Sequence, residues 1–358
     1  MIDLENSSVK EGLFSRFVHL IVLLATGLTP LELLAQNIDI IKIAHRGASA
    51  ERPEHTLVAY ELAIDRGANF IEPDLVVTKD LRFIARHENE LSETTDVASR
   101  EEFENRRRDK IIDGQRVAGW FAEDFTLEEI RTLRARERFP NLRPSNVFFN
   151  NLFQVPTLHE IVSLVRAKEK ETGRRIGLYP ELKHPTFLLQ EEGIDVVDLL
   201  LKDLQDLEVK PDQVFIQSFE VRVLQRLNER SDFKLVQLLN TEGGPADEPT
   251  MRYAEMATFS GLEDIKEYAD IIGAAIPLIL LADGSPTSLV QNAQSVGLLV
   301  HAWTLRPENA FLPLGLQSVG GPSEQGDYKG LYDLLVSAGV SGVFMDDLRG
   351  ITAANVQQ

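Results

Sequence analysis

Cysteine is absent from the 358 residues, which excludes disulfide staples and thiolate metal sites. Any bound cation is left to oxygen and imidazole ligands. Positive charge is scarce too: 37 Lys and Arg face 56 Asp and Glu, a net −19 at pH 7. Without a cationic surplus to displace counterions from a polyphosphate, the chain is not expected to bind nucleic acid. An anionic substrate would have to be held by local cations and a bound metal, against the mean field. No short fixed-period repeat is present, which argues against a solenoid. Long apolar runs are also missing. The stretch Phe17 to Leu28, preceded by Lys10 and Arg16, is broken by His19 and Thr26-Gly27. It is too short and interrupted for a comfortable membrane span, so no stable span is expected. With Ala35-Gln36 as a possible cleavage point it reads as a secretory signal over residues 1–36, which implies a periplasmic or secreted protein. An uncleaved anchor or an amphipathic N-terminal helix is the alternative for this segment.

The rest of the chain, 37–358, alternates strand-like and helix-like segments. Strands are expected at Asp39–Ala44, Phe70–Val76, Arg82–Arg86, Ile176–Glu181, Val214–Ser218, Lys234–Leu238, Ile271–Ala275, Leu298–Trp303 and Gly342–Met345. Helices are expected at Thr56–Arg66, Thr157–Glu171, Val196–Leu207, Glu220–Glu229, Pro286–Ser295 and Leu331–Ala338. Repeated βα units imply a parallel sheet, but the strands are one too many for an eight-stranded barrel. The surplus lies at Phe70–His87, where Thr78-Lys79-Asp80-Leu81 is far too short for a parallel crossover. That segment is therefore an antiparallel hairpin, expected to set Glu72 near His87 and Asp74 near Ala85. Glu72 and Asp74 share a face, because strand side chains alternate with period two. Residues 88–155 have little strand character, are rich in charge, and suggest a partly helical insertion above the barrel mouth. A second, shorter excursion runs over Asn309–Gln325.

Several apolar runs deliver a chemically capable side chain at their C-terminal end. Glu72, Asp74 and Glu181 are oxygen ligands suited to a hard divalent cation, Ca²⁺ or Mg²⁺; zinc is the poorer choice. Either carboxylate motif alone would more often be a solvated strand end. Their coincidence with His45 and His87 on two further strand ends favours a metal site with acid–base imidazoles. Arg46 and Lys183 would neutralise phosphate oxygens, with surface salt bridging as the bland alternative. Gly47 permits close backbone approach beside Arg46. Phe219 and Trp303 could wall a substrate pocket or simply pack in the core. His19, His55, His159, His184 and His301 are less well placed: His55 is expected to start a helix, His159 to lie in one and His301 to sit within a strand.

These motifs resemble the glycerophosphodiester phosphodiesterase family. The resemblance rests on His45-Arg46-Gly47, Arg52-Pro53-Glu54-His55-Thr56, Glu72-Pro73-Asp74, Thr78-Lys79-Asp80, His87-Glu88, Glu181-Leu182-Lys183, Gln217-Ser218-Phe219, His301-Ala302-Trp303-Thr304 and Gly342-Val343-Phe344-Met345-Asp346. It implies an α/β (β/α)₈ TIM barrel with a helical insertion after the antiparallel catalytic hairpin. The long interval between His87 and Glu181 is similar to the exported bacterial branch, for which Ca²⁺ is the usual metal. By that resemblance Glu72, Asp74 and Glu181 are metal ligands, His45 and His87 the general acid and base, and Arg46 and Lys183 phosphate contacts. The implied reaction is hydrolysis of a small glycerophosphodiester to sn-glycerol 3-phosphate and an alcohol. Two positions depart from the family pattern: His55 stands where Asn is common, and Glu88 where Asp often follows the histidine. The rival readings are a related barrel phospholipase acting on intact lipid and a non-catalytic head-group-binding protein.

Overall fold

The computed structural model describes residues 40–351; the expected signal segment lies outside them. In chain order the strands are β1 (Ile41–His45), β2 (Phe70–Glu72), β3 (Asp74–Val77), β4 (Phe83–Ala85), β5 (Arg108–Ile112), β6 (Gln115–Gly119) and β7 (Gly177–Leu178). They continue as β8 (Glu181–Leu182), β9 (Phe215–Ser218), β10 (Lys234–Leu239), β11 (Ile271–Ala275), β12 (Leu299–Leu305) and β13 (Gly342–Met345). Proline, which cannot donate to a ladder, splits two barrel strands. Pro73 separates β2 from β3, and Pro180 separates β7 from β8. With each pair of halves taken as one strand, eight parallel strands close on themselves. β1 pairs with β2 and with β13. β2 and β3 pair with β7 and β8, and the ladder then runs in sequence order from β8 to β13. The expected (β/α)₈ barrel is therefore formed.

Helices cover the outside of the barrel. Leu57–Asp65 starts at Thr56, whose hydroxyl accepts from the Ala59 amide at 3.2 Å, satisfying an otherwise unpaired N–H. Leu158–Thr172 begins with a capping box between Thr157 and Glu160 and ends at Gly173 in a left-handed conformation. The barrel floor is filled by Ile43, Tyr179, Val236, Ile271 and Phe344, with Phe70 and Phe215 packed against them. A plugged interior leaves chemistry to the C-terminal mouth of the strands.

The hairpin exists, with its register one residue away from the expected one. Leu75 faces Ala85 and Val77 faces Phe83, so Asp74 lies opposite Arg86, whose amide donates to the Asp74 carbonyl at 3.0 Å. The turn is wider than a minimal one because Thr78 reaches across to the Arg82 amide and Leu81 adopts positive φ. The insertion is partly helical, with short 3₁₀ turns and one turn of α-helix at Leu127–Ile130. It also carries an unexpected β5–β6 hairpin. Its own core includes Phe103, Phe125, Ile130 and Leu133, packed under Val76 and Ile84 of the catalytic hairpin. No helix among the described residues is long and apolar enough to cross a membrane.

Candidate active site

Strand register brings the sequence-separated groups together. His45 is paired across the ladder with Glu72, Asp74 with Glu181, and Glu181 with Gln217. One ligand oxygen or more from each of Glu72, Asp74 and Glu181 lies within 4.8 Å of the others, and all three residues are buried. The expected carboxylate triad thus converges at one point.

The turn after β1 sets the first contacts. Arg46 and Gly47 both have positive φ, and a Cβ on Gly47 would lie 2.7 Å from the Ala59 backbone, so only glycine fits. This turn aims the Arg46 amide at the Glu72 carboxylate, 2.8 Å away. The second Glu72 oxygen accepts from Gln217 at 3.1 Å. Asp74 Oδ2 is hydrogen-bonded to His55 Nε2 at 2.8 Å and ion-paired with Arg46, whose Nε lies 3.3 Å away. Glu181 accepts from Lys183 Nζ at 2.7 Å.

Burial and mutual repulsion push the Glu72 carboxyl well above its usual range, with Asp74 and Glu181 as the repelling charges. Glu181 is pushed up to about 8 by burial, against the pull of Lys183. Asp74 sits well below the usual range despite burial, held there by Lys183, His87 and His55. The donor set fits a hard cation. Oδ1 of Asp74 is buried with no hydrogen-bond partner among the described residues, and a charged oxygen left so is costly unless an ion takes it.

Each expected imidazole has one nitrogen fixed by a carboxylate. His45 Nδ1 lies 2.6 Å from Asp346 Oδ1, and Asp346 is gripped by Arg143 at 2.5 Å and Arg306 at 3.2 Å. His87 Nδ1 bonds to Glu88, which Arg138 clamps through two nitrogens at 3.0 and 2.7 Å. Glu88 therefore orients His87, although it departs from the family pattern at this position. Burial and the neighbouring Arg46 lower His45 to about 4. Burial, Arg46 and Lys183 lower His87 to about 3.

Both histidines open onto a cavity of about 360 Å³, whose walls also include Arg46, Lys183, Phe219 and Trp303. Arg46 and Lys183 are buried there, not engaged in surface salt bridges. Phe219 and Trp303 meet edge to face with ring centroids 5.7 Å apart, so both wall the cavity. His301 is buried within the barrel, its Nδ1 against the Tyr179 hydroxyl at 2.8 Å.

Sequence reasoning misplaced His55. It does not start a helix, since Thr56 is the cap and His55 itself has positive φ. It is fully buried between the Tyr60 hydroxyl, 2.7 Å away, and Asp74, where it orients a carboxylate of the triad. Asp346, Arg138, Arg143 and Gln217 were missed as site residues. Asp346 carried a signal, as a carboxylate directly after the last barrel strand; Arg138 and Arg143, inside the insertion, carried none.

A mouth of this composition can open a phosphate ester, and the class is that of α/β-barrel hydrolases. The comparison with known proteins narrows it. Residues 45–349 match the glycerophosphoryl diester phosphodiesterase family. An Arabidopsis thaliana glycerophosphodiester phosphodiesterase is 33% identical over 321 residues, covering 85% of this chain and 82% of its own. The Haemophilus influenzae glycerophosphodiester phosphodiesterase is 30% identical over 339 residues, covering 86% and 87%. Among solved structures, a Silicibacter pomeroyi protein described as a glycerophosphoryl diester phosphodiesterase superposes with a TM-score of 0.61 at 19% identity, covering 87% and 93%. An Oleispira antarctica phosphodiesterase, solved with the product sn-glycerol-3-phosphate, gives 0.56 at 18% identity, covering 88% and 96%; these two likenesses carry the fold. The chain belongs to the glycerophosphoryl diester phosphodiesterase family and is an enzyme of that kind.

Proposed function

We propose that the enzyme hydrolyses small, deacylated glycerophosphodiesters to sn-glycerol 3-phosphate and an alcohol, with His45 and His87 as the acid–base pair. The observation that carries this is the pair of carboxylate-tethered imidazoles opening onto the same cavity as Glu72 and Glu181 of the carboxylate triad. Glu72, Asp74 and Glu181 would hold a divalent ion, Ca²⁺ in the first instance and Mg²⁺ as the alternative. Held there, such an ion supplies Lewis-acid polarisation of a phosphoryl oxygen.

The chain's own residues account for the remainder. Arg46 and Lys183 line the cavity as buried cations and would seat the diester anion. In the free enzyme burial keeps both imidazoles neutral, the state needed to take a proton, helped at His45 by Arg46 and at His87 by Arg46 and Lys183. An anion seated against them offsets that charge and lifts the imidazole pKa values, so that one can carry the proton required by the leaving alkoxide. Asp346 and Glu88 keep each Nδ1 engaged and leave each Nε2 for the substrate. Phe219 and Trp303 would exclude water beside the glycerol.

Release of glycerol 3-phosphate from a panel of deacylated diesters tests the reading, after chelator treatment and with Ca²⁺ or Mg²⁺ restored. No product from any diester with either ion would sink it. A second reading, cleavage of intact phospholipid, draws on exposed apolar side chains on both excursions: Phe148 and Leu152 on the insertion, Leu314 and Val319 on the later one. Faster cleavage of lipid vesicles than of glycerophosphocholine would favour it. We also infer export to the periplasm or outside the cell from the N-terminal pattern Lys10–Gln36; the intact mass of the mature protein checks whether residues 1–36 are removed.

A further inference from the structure

A second cavity, of about 280 Å³, adjoins the catalytic one and shares Glu181, Lys183, Phe219 and Asn240 with it as common walls. Its remaining walls include Asp113, His184, Glu220 and Tyr253. Charge inside is unbalanced. Glu181 is paired with Lys183 at 2.7 Å, and Asp113 with His184 at 2.6 Å. Glu220 is 3% exposed. One of its oxygens accepts from the Thr186 amide at 3.1 Å. The other is buried with no hydrogen-bond partner among the described residues. Among the described residues no cation is ion-paired with it. Asp247, packed behind, is spent on the Val221 and Arg222 amides. The walls flanking Glu220 are aromatic: Phe219 and Tyr253 meet edge to face with centroids 6.0 Å apart.

We propose that this cavity is the subsite for the alcohol half of the substrate, and that Glu220 with Phe219 and Tyr253 selects a cationic head group of the choline or ethanolamine kind. The inference rests on the diesterase reading and adds which diester is preferred. Its physics is direct. A phosphodiester held at Lys183 has its leaving alcohol beside the shared wall. An ammonium two carbons further on would meet Glu220, a carboxyl that the cation itself would hold ionised, beside the rings of Phe219 and Tyr253, and both attract a desolvated cation. The field of the cavity has the required sign. Burial, then the carboxylates of Asp247, Glu220, Glu181 and Asp113, push the Tyr253 phenol up. Glu220 itself is pushed up to about 8, first by burial and then by Asp247 and Asp113, so a cation placed there relieves a charge that the empty cavity opposes.

The test compares kcat/KM for glycerophosphocholine and glycerophosphoglycerol, whose head group is uncharged, in the wild type and in Glu220→Gln. The glutamine keeps the acceptor for the Thr186 amide. Wild type should favour the choline diester, and in Glu220→Gln the ratio of the two specificity constants should fall about 5- to 30-fold, through KM for the choline diester. Asp113→Asn, at the exposed tip of the β5–β6 hairpin, should move the ratio in the same direction by less. Equal losses on both diesters, or an unchanged ratio, overturn the subsite. Calorimetric titration with choline chloride, and with glycerol as the uncharged control, needs no turnover. Glu220-dependent choline binding in a protein that hydrolyses no diester would leave the subsite standing and sink the diesterase reading. Efficient hydrolysis of both diesters without choline binding does the reverse.

Discussion

His45 and His87 each have one ring nitrogen tied to a carboxylate, and each of those carboxylates is tied to an arginine. Such a chain fixes the ring and its tautomer. Replacing either histidine with Ala should therefore lower kcat on the order of 10²–10⁴-fold. Glycerol 3-phosphate release from variants with unchanged circular dichroism measures this. Wild-type-like turnover in both variants would remove the acid–base pair. Asp346→Asn keeps the shape but lets Nδ1 face an amide, so its loss should appear in kcat and in the pH–rate profile and not in substrate KM. His55 acts one step further out, by holding Asp74 against the ion site. His55→Ala should weaken Ca²⁺ binding about 10- to 100-fold, the usual effect of removing an outer-shell partner of a ligand. Calorimetric Ca²⁺ titration reads this directly, and unaltered affinity would leave His55 as a packing residue only.

At the scale of elements, the insertion does more than roof the barrel. Its segment from Glu137 to Arg143 supplies Arg138 to Glu54 and Glu88, and Arg143 to Glu308 and Asp346. Both guanidiniums are more than nine-tenths buried. Removing either takes a charged partner from buried Glu54 or from buried Glu308 and Asp346, and breaking such a buried pair costs about 3–5 kcal/mol. Arg138→Ala and Arg143→Ala should each move the urea midpoint accordingly, and near-neutral midpoints would contradict the burial. None of this could be read from spacing, because Arg143 and Asp346 are 203 residues apart in sequence. What spacing does reveal is local. The hairpin was legible because Thr78–Leu81 is too short to cross over. Its register was not, because the Thr78–Arg82 side-chain contact that widens the turn leaves no mark in the hydrophobic pattern. β5 and β6 escaped notice for a related reason. They are a mostly exposed two-stranded ribbon, so no buried face imposes alternation. The carboxylate triad and both histidines were legible because each follows closely on a short apolar run, and barrel closure brings those points together.

Taken whole, the molecule carries a cost at its centre that an ion would cancel, and pH exposes it. Glu181 is held at about 8, against an ordinary 4.5, and Glu72 is raised in the same direction. In that window the folded chain keeps protons that the unfolded chain has released, so stability must fall as pH rises through it. His45 at about 4 and His87 at about 3, against an ordinary 6.5, act with the opposite sign, but only below about 6.5. Between pH 6.5 and 8 the carboxylates are left to decide. The chelated protein should therefore lose thermal stability across that interval. Saturating Ca²⁺ would keep Glu72, Asp74 and Glu181 ionised and also bind the native state alone, worth about 2.7 kcal/mol at a hundredfold excess over Kd. The melting curve against pH should then lie higher and run flatter, with a residual slope from Glu220, whose own value of about 8 has the same sign and lies in the neighbouring cavity. Glu181→Gln should flatten the curve without any ion and forfeit most of the gain from Ca²⁺. Parallel curves with chelator and with Ca²⁺, separated by a constant offset, would mean that the ion does not sit among these carboxylates.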